Sequence, residues 1–554
     1  MKGNSIRNYI KELLKKTPSG WLDLTTHRLD IYDETLAKSQ FLEQFEILFD
    51  NNKISTAALQ KLPTAYDYIR LGHPLSCVLE WSIAKLNNLK PENIISFSSQ
   101  TIPVLAILRT NLLARKKTQI LYTGTLPSFF DAEVIRCVYG YQFELKQIES
   151  YTAIAQFDGS TVFIAPQNEF SVFELHKNSD FFIHNYGKLG SVLVINGSQN
   201  DVYISAIQHV RRRETIAMTP ANTLKVLKQL TGHTVSGSET TDYKTNKTKV
   251  INTIKKITGT NTTPLVGSSG LSIQYAIMMG LVHDALDSHP GKAIKIIVPP
   301  NCYGGTNDQA RRVAASIENV EVVDLPVDGA HDMVQSIEHV LHAIAQEDAV
   351  PFIIAEIPTN PRVEVPDLIK LKEVLSATRK TAKGEIAIDP VFILDQTFCP
   401  NVLFLGENEI LSSIRTISYV SGSKFPSGGK CTAGYCVGNK KTVDLMEKIA
   451  MHLQLCDNEA TELQMELLAK QLPSMNQRIK EAYLNTRAFV KYIQATLPEA
   501  KINFVSETLA NQGFTPSVFS LDLPTKGTTD VEKEEYKRTL NHQLINLMIT
   551  EIPN

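Results

Sequence analysis

The stretch "SGSKFPSGGK" (421–430) fences one lysine, Lys424, among small and hydroxyl residues, directly after the alternating run "SIRTISYV". An amine at a strand end is placed to bond a carbonyl compound, and the hydroxyls of Ser421 and Ser423 can donate to an anion. Other chemistry-bearing residues precede it. Asp395 closes "PVFILDQT" (390–397) just before Thr397; a carboxylate there either caps a turn or serves a protonated ring nitrogen. "EIPTNP" (356–361) holds the amide of Asn360 between prolines. "PPNCYGGT" (299–306) places Tyr303 at the end of a strand, where its ring can stack on a planar ligand or simply fill the core. "VGSSGLS" (266–272) follows a strand and opens a helix. Ser269, Gly270 and Leu271 therefore stand where free backbone N–H groups could seat a phosphate.

The elements that must position these residues are legible as alternation. "KAIKIIVPP" (292–300), "VEVVDLP" (320–326), "PFIIAEIP" (351–358) and "PVFILDQT" are apolar and β-branched, with amphipathic stretches such as "NDQARRVAASI" and "MVQSIEHVLHAIAQE" between them. Near-continuous apolar strands with helical crossovers predict an α/β domain built on a largely parallel sheet. From residue 440 onward long helical patterns take over ("KKTVDLMEKIAMHLQL", then "ATELQ" through "IQATL"), followed by a strand at "FTPSVFSLDLP" (514–524). This predicts a smaller C-terminal α+β unit.

The chain also repeats itself. "TVFIAPQNEF" (161–170) parallels "PFIIAEIPTNP", with Asn168 standing for Asn360. "SVLVINGS" (191–198) parallels "PVFILDQT", and "ISFSSQTIPVLAILRTNLL" (95–113) parallels "PLVGSSGLSIQYAIMMGLV" (264–282). Residues 60–210 read as a degenerate, partial copy of 235–425. The expected division is 1–220 for the degenerate copy, 221–440 for a large domain and 441–554 for a small, incomplete one.

The ordered series SSG, YGGT, E-x-P-T-N-P, D-x-T and S-x-S-K resembles the cystathionine γ-synthase/γ-lyase family of pyridoxal-phosphate enzymes, the Cys/Met metabolism family, over residues 240–525. The resemblance implies a fold-type-I pyridoxal-phosphate transferase architecture and pyridoxal 5'-phosphate as cofactor. By that likeness Lys424 would form the Schiff base, Asp395 would keep the pyridine nitrogen protonated, Tyr303 would stack on the ring and Asn360 would face its 3-hydroxyl. Ser269, Gly270, Leu271, Ser421 and Ser423 would hold the phosphate, with Thr397 beside them. The implied reaction is β- or γ-elimination or γ-replacement on a homoserine ester, cystathionine or a related sulfur amino acid. Two alternatives stay open: another pyridoxal-phosphate reaction, such as deamination or transamination, and a non-catalytic protein that keeps the fold.

The pattern departs from the family in two places. Its Y-x-R motif, which in family members reaches a neighbouring subunit's phosphate, is absent from "DYKTNKT" (242–248), where Thr245 replaces the arginine. It is present in the first copy as "YIRLGHP" (68–74), with Tyr68 and Arg70. That copy lacks the lysine motif, and Asn196 stands where the second copy has Asp395. We therefore expect the first copy to pack on the second as a pseudo-dimer and to close the phosphate site within one chain. The family's C-terminal arginine, which grips the substrate carboxylate, has no counterpart here.

Bulk properties narrow the partners. A net charge of −2 over 554 residues gives no basic excess for nucleic acid or an anionic membrane. The N-terminus reads as an amphipathic basic helix rather than a signal peptide. Seven scattered cysteines, with no CxxC, suit a reducing compartment, hence a cytoplasmic protein without disulfides. The histidines form no ligand pattern, so no metal is expected. The surroundings of His27 and the run Arg211–Arg213 read as solvated faces. The resemblance implies a small amino-acid substrate and a homo-oligomer, dimer or tetramer.

Overall fold

The apolar runs become strands, and those nearest the site are buried along their whole length. The computed structural model describes residues 2–23, 37–66, 68–166, 175–233, 241–327 and 331–551. The protein is a mixed α/β molecule with a large, mostly parallel sheet flanked by helices.

The first sheet holds β1 (Ile94–Phe97), β2 (Thr118–Tyr122), β3 (Glu144–Gln147), β4 (Ser160–Pro166), β5 (Phe181–Asn185) and β6 (Ser191–Ile195), in the order β1-β6-β5-β4-β2-β3. The second holds β7 (Leu265–Gly267), β8 (Ile294–Val298), β9 (Val320–Asp324), β10 (Val350–Glu356), β11 (Val391–Asp395), β12 (Thr416–Ser421) and β13 (Gly434–Gly438), in the order β7-β13-β12-β11-β10-β8-β9. In the second sheet β9, β8, β10, β11 and β12 run parallel, and β13 runs against both its neighbours. In the first, β3, β2, β4 and β5 run parallel, and β6 is the reversed strand.

This topology corrects one expected equivalence. Residues 191–195 form the reversed strand β6, so they occupy the place of β13, not that of β11. The strand paired in parallel with β4 is β5, just as β11 pairs with β10. Pro166 is in register with Asn185, as Glu356 is with Asp395. Asn185 closes β5, and Asn196 lies one residue past the end of β6. The Asn196 amide is used locally, donating to the Ser179 carbonyl at 2.7 Å. Asn168 and His27 lie outside the described residues.

A single apolar core crosses both sheets. It joins Phe97, Ile107, Ile183 and Tyr203 to Ile277, Val298, Ile393 and Ile449. Buried polar contacts fix the junction. Arg109 pairs with Glu214 and also donates to Tyr275 Oη at 3.1 Å. Thr215 Oγ1 donates to Asn458 Oδ1 at 2.6 Å, and Ser99 Oγ to the Cys456 carbonyl at 2.7 Å. Breaking one member of such a buried ion pair costs about 3–5 kcal/mol, so the two sheets hold a defined relative position.

Three further expectations change. Arg211 is fully buried, not solvated. It donates to Glu80 at 2.9 Å, and Glu80 also pairs with Lys38, because the Tyr203–Arg213 helix packs this face inward. The long C-terminal helical pattern breaks at Pro473 into Glu462–Gln471 and Met475–Thr496, as an interior proline removes a donor and clashes with the preceding turn. Of 514–524 only β15 (Ser520–Asp522) is strand, paired with the equally short β14 (Lys501–Asn503). The N-terminal helix Lys2–Leu14 is amphipathic as read, burying Ile6, Tyr9, Ile10 and Leu13 at helical spacing. Among the described residues no helix is long and apolar enough to cross a membrane, and no cluster of metal-ligating side chains occurs.

Candidate functional site

A cleft opens at the C-terminal ends of β10, β11 and β12, where open α/β sheets bind their ligands. Every residue that the sequence singled out for a site lines it: Tyr68, Arg70, Ser269, Gly270, Leu271, Tyr303, Asn360, Asp395, Thr397, Ser421, Ser423 and Lys424.

One wall is the start of the Gly270–Ser288 helix. Ser269 caps it, accepting from Ser272 N at 3.0 Å. The helix can press against β12 only because residue 270 has no side chain: a Cβ there would sit 3.1 Å from Ser421 Cα. On the opposite side Ser421 Oγ and Ser423 Oγ lie 2.9 Å apart, and Ser421 N donates to Thr397 Oγ1 at 3.0 Å. Helix N–H groups and two hydroxyls thus converge on one corner, a geometry suited to an anion. Lys424 follows three residues after the end of β12, exposed to the cleft, while Lys430 lies outside it.

Asp395 ends β11 and is nearly buried, accepting from Thr397 N at 2.8 Å. Burial pushes its carboxyl up, against the opposing hydrogen bonds from Thr397 and Tyr419. A cation placed beside it would reverse that shift.

Tyr303 sits five residues beyond β8, not at the strand end as read, because the chain turns there into the Gly304–Ser316 helix, whose N-cap it forms. Asn360 likewise lies in the turn beyond β10. One carboxylate ties both in place: Glu356 accepts from Tyr303 N at 2.7 Å through Oε1 and from Asn360 N at 3.2 Å through Oε2. Glu356, inside E-x-P-T-N-P, carries no role in the sequence reading; the available signal is its place as the last residue of β10. Burial would raise the Tyr303 phenol, but the positive charge and hydrogen bond of Arg70, with Arg213 and Lys424, outweigh it and lower the net value.

Tyr68 and Arg70 arrive from the first half of the chain. Arg70 Nη2 donates to Tyr303 Oη at 3.0 Å, and its guanidinium stands 4.6 Å over the Tyr68 ring. Local chemistry fixes this segment. Pro74 opens the Pro74–Leu86 helix, and the His73 ring caps it by accepting from Ser76 N at Nδ1. His73 Nε2 then donates to the Met218 carbonyl at 2.7 Å, and burial holds the imidazole neutral, its pKa lowered to about 4. Gly72 is required because a Cβ would lie 2.3 Å from the Tyr66 ring. Ala217 N donates to the Arg70 carbonyl at 2.8 Å. Thr245, by contrast, faces a surface groove on the Thr241–Thr258 helix and does not reach the cleft. Gln274, Phe398, Tyr419, Thr432 and Ala433 also line it and belong to none of the site motifs read in the sequence.

No family model and no curated protein matches the chain. Among solved structures, the chain is similar to a cystathione gamma lyase from Micromonospora echinospora at 17% identity and TM-score 0.39, over 50% of this chain and 66% of that one. It is similar to metB from Corynebacterium glutamicum at 17% identity and TM-score 0.38, over 52% and 69%. Cystathionine gamma-lyase from yeast matches at 17% identity and TM-score 0.37, over 49% and 62%. The chain thus spans about two thirds of the length of these structures.

Proposed function

We propose that the protein is a pyridoxal-phosphate-dependent lyase or transferase acting on a sulfur-bearing amino acid or a homoserine ester by β/γ-elimination or γ-replacement. The observation that carries the reading is the convergence, in one cleft, of a lysine, a buried carboxylate, an aromatic ring and a helix N-terminus. The residues fit the cofactor on further grounds. Arg70 Nε is a buried donor without a partner among the described residues, and such a group calls for an acceptor. Gly270 leaves a cradle that a Cβ would fill.

In this reading Ser421, Ser423 and the N–H groups of Gly270 and Leu271 bind the phosphate, with Arg70 and Tyr68 closing over it. Asp395 holds a proton on the ring nitrogen, and Tyr303 and Asn360 orient the ring. When bound, pyridoxal phosphate supplies an electron sink for charge developing at the substrate α-carbon. Lys424 Nζ holds the cofactor and, once released, moves the proton at that carbon. The division into domains at 220 and 440, the duplication of the first half and a cytoplasmic, oligomeric protein belong to the same proposal. One observation favours a non-catalytic reading: among the described residues Arg70 is the sole arginine lining the cleft.

Absorbance of the purified protein with added pyridoxal phosphate tests the cofactor. A band near about 420 nm that borohydride abolishes supports it, and no such band refutes it. Release of sulfide, ammonia or keto acid from cystathionine or homoserine esters then separates the lyase, the transferase and the non-catalytic readings.

A further inference from the structure

Gln274 lies one turn into the Gly270–Ser288 helix, lines the cleft and is 1% exposed. Its Oε1 is 3.1 Å from Thr306 Oγ1 and 3.2 Å from Tyr419 Oη, while its Nε2 is buried with no partner among the described residues. Tyr419, on β12 and itself buried, stands in register with Asp395 on the neighbouring strand β11 and lowers the carboxyl against the effect of burial. The other groups facing Asp395 are Thr397, Glu356 across the β10–β11 register and the buried thiol of Cys302.

Counting protons restricts this relay. The Tyr419 hydroxyl has one proton to donate. If it goes to Gln274 Oε1, as it does here, none is left for Asp395. For Tyr419 to donate to an ionised Asp395 instead, Gln274 must present it with a donor. Turning the amide does this: its NH₂ carries two protons and faces two oxygens, Thr306 Oγ1 and Tyr419 Oη. Amide oxygen and nitrogen are set by their hydrogen-bond surroundings, so the amide orientation and the ionisation of Asp395 are linked.

We propose that Gln274 is a positioning residue that acts through Tyr419 to hold Asp395 ionised and aimed at the ring nitrogen of the bound cofactor. This rests on the pyridoxal-phosphate reading. In the loaded protein Asp395 is a carboxylate, Tyr419 donates to it and the Gln274 NH₂ donates to Tyr419 and Thr306. No bond is made or broken beyond the transfer of hydrogen-bond protons along this chain.

The test uses the full-length protein titrated with pyridoxal phosphate, reading the dissociation constant and the absorption maximum, with the melting temperature of the cofactor-free protein as a folding control. Tyr419→Phe, which keeps the ring packing, and Gln274→Leu should each weaken binding about tenfold and move the absorption maximum in the same direction. The double variant should be no weaker than the stronger single one, because both break one relay. Wild-type affinity and spectrum in Tyr419→Phe, or losses that multiply in the double variant, would overturn the proposal even if Gln274→Leu fails to fold. A wild type that forms no borohydride-reducible adduct removes the underlying reading and this proposal with it. A wild type that binds, with both variants unchanged, removes the relay alone.

Discussion

The first sheet follows the strand order of the second less one strand, yet only in the second does the loop before the reversed strand carry a lysine into the cleft. The difference lies in one connection. In the first sheet the parallel strand β5 meets the reversed strand β6 through residues 186–190, a tight turn with Gly187 and Gly190 at positive φ. In the second, β12 meets β13 through residues 422–433, which hold Ser423 and Lys424. The first sheet is one strand shorter, and its connection is five residues long. At the register position of Asp395 it has Asn185. It contributes instead the segment before the Pro74–Leu86 helix, which delivers Tyr68 and Arg70 to the other sheet's cleft. Sheets position chemistry, and the loops at their ends supply it.

The sharpest way to break this contrast is to remove the lysine that the second sheet's loop brings to the cleft. Lys424→Ala should abolish the borohydride-reducible adduct entirely while leaving the melting temperature near that of the wild type; a surviving adduct would assign the lysine elsewhere. Asp395→Asn makes the second sheet like the first at that register. It should keep cofactor and lose activity by about 10²–10³-fold, the effect of removing one pre-organised charged group, about 3–4 kcal/mol. Turnover equal to wild type would reduce Asp395 to a turn cap. Arg70→Ala removes the first half's contribution and should weaken cofactor binding by about 1.5–3 kcal/mol, the worth of a hydrogen bond to a charged group, as measured by equilibrium titration.

The smallest effect concerns the seam between the halves. Asp457 accepts from Gln100 N at 2.9 Å, and burial raises its pKa to about 7. The folded protein then binds more protons than the unfolded chain between about pH 4 and 7, given an unfolded carboxyl near 3.9. Its contribution to stability therefore falls as pH rises through that window and is flat above it. Asp457→Asn should raise stability relative to wild type at pH 8 by about 1 kcal/mol, allowing for partial exposure, and leave it unchanged at pH 4. Melting curves at the two pH values check this; equal differences at both would remove the titration from Asp457.

Much of the site was legible because its residues punctuate strand ends, where an apolar run stops at one polar side chain. Lys424, Asp395 and the Gly270 helix start all carry that signal. Gln274 and Tyr419 were not legible. They sit inside an apolar helix and an apolar strand, where a lone polar residue reads as core, and only the packing of the helix on β12 brings them together. Arg211 was misread for a related reason: three arginines in a row look solvated until Glu80, far away in the chain, appears opposite one of them. The β6 equivalence failed because apolar strands look alike, and only pairing direction tells β6 from β5.

The central claim is that one chain completes its own phosphate site, with Arg70 and Lys424 in the same molecule. Mixing Arg70→Ala with Lys424→Ala, after dissociation and reassociation of any oligomer, tests it most directly. The account predicts that the mixture binds pyridoxal phosphate no more tightly than Arg70→Ala alone. A fraction binding with wild-type affinity would contradict it, because such a site could form only by pairing Arg70 of one chain with Lys424 of another.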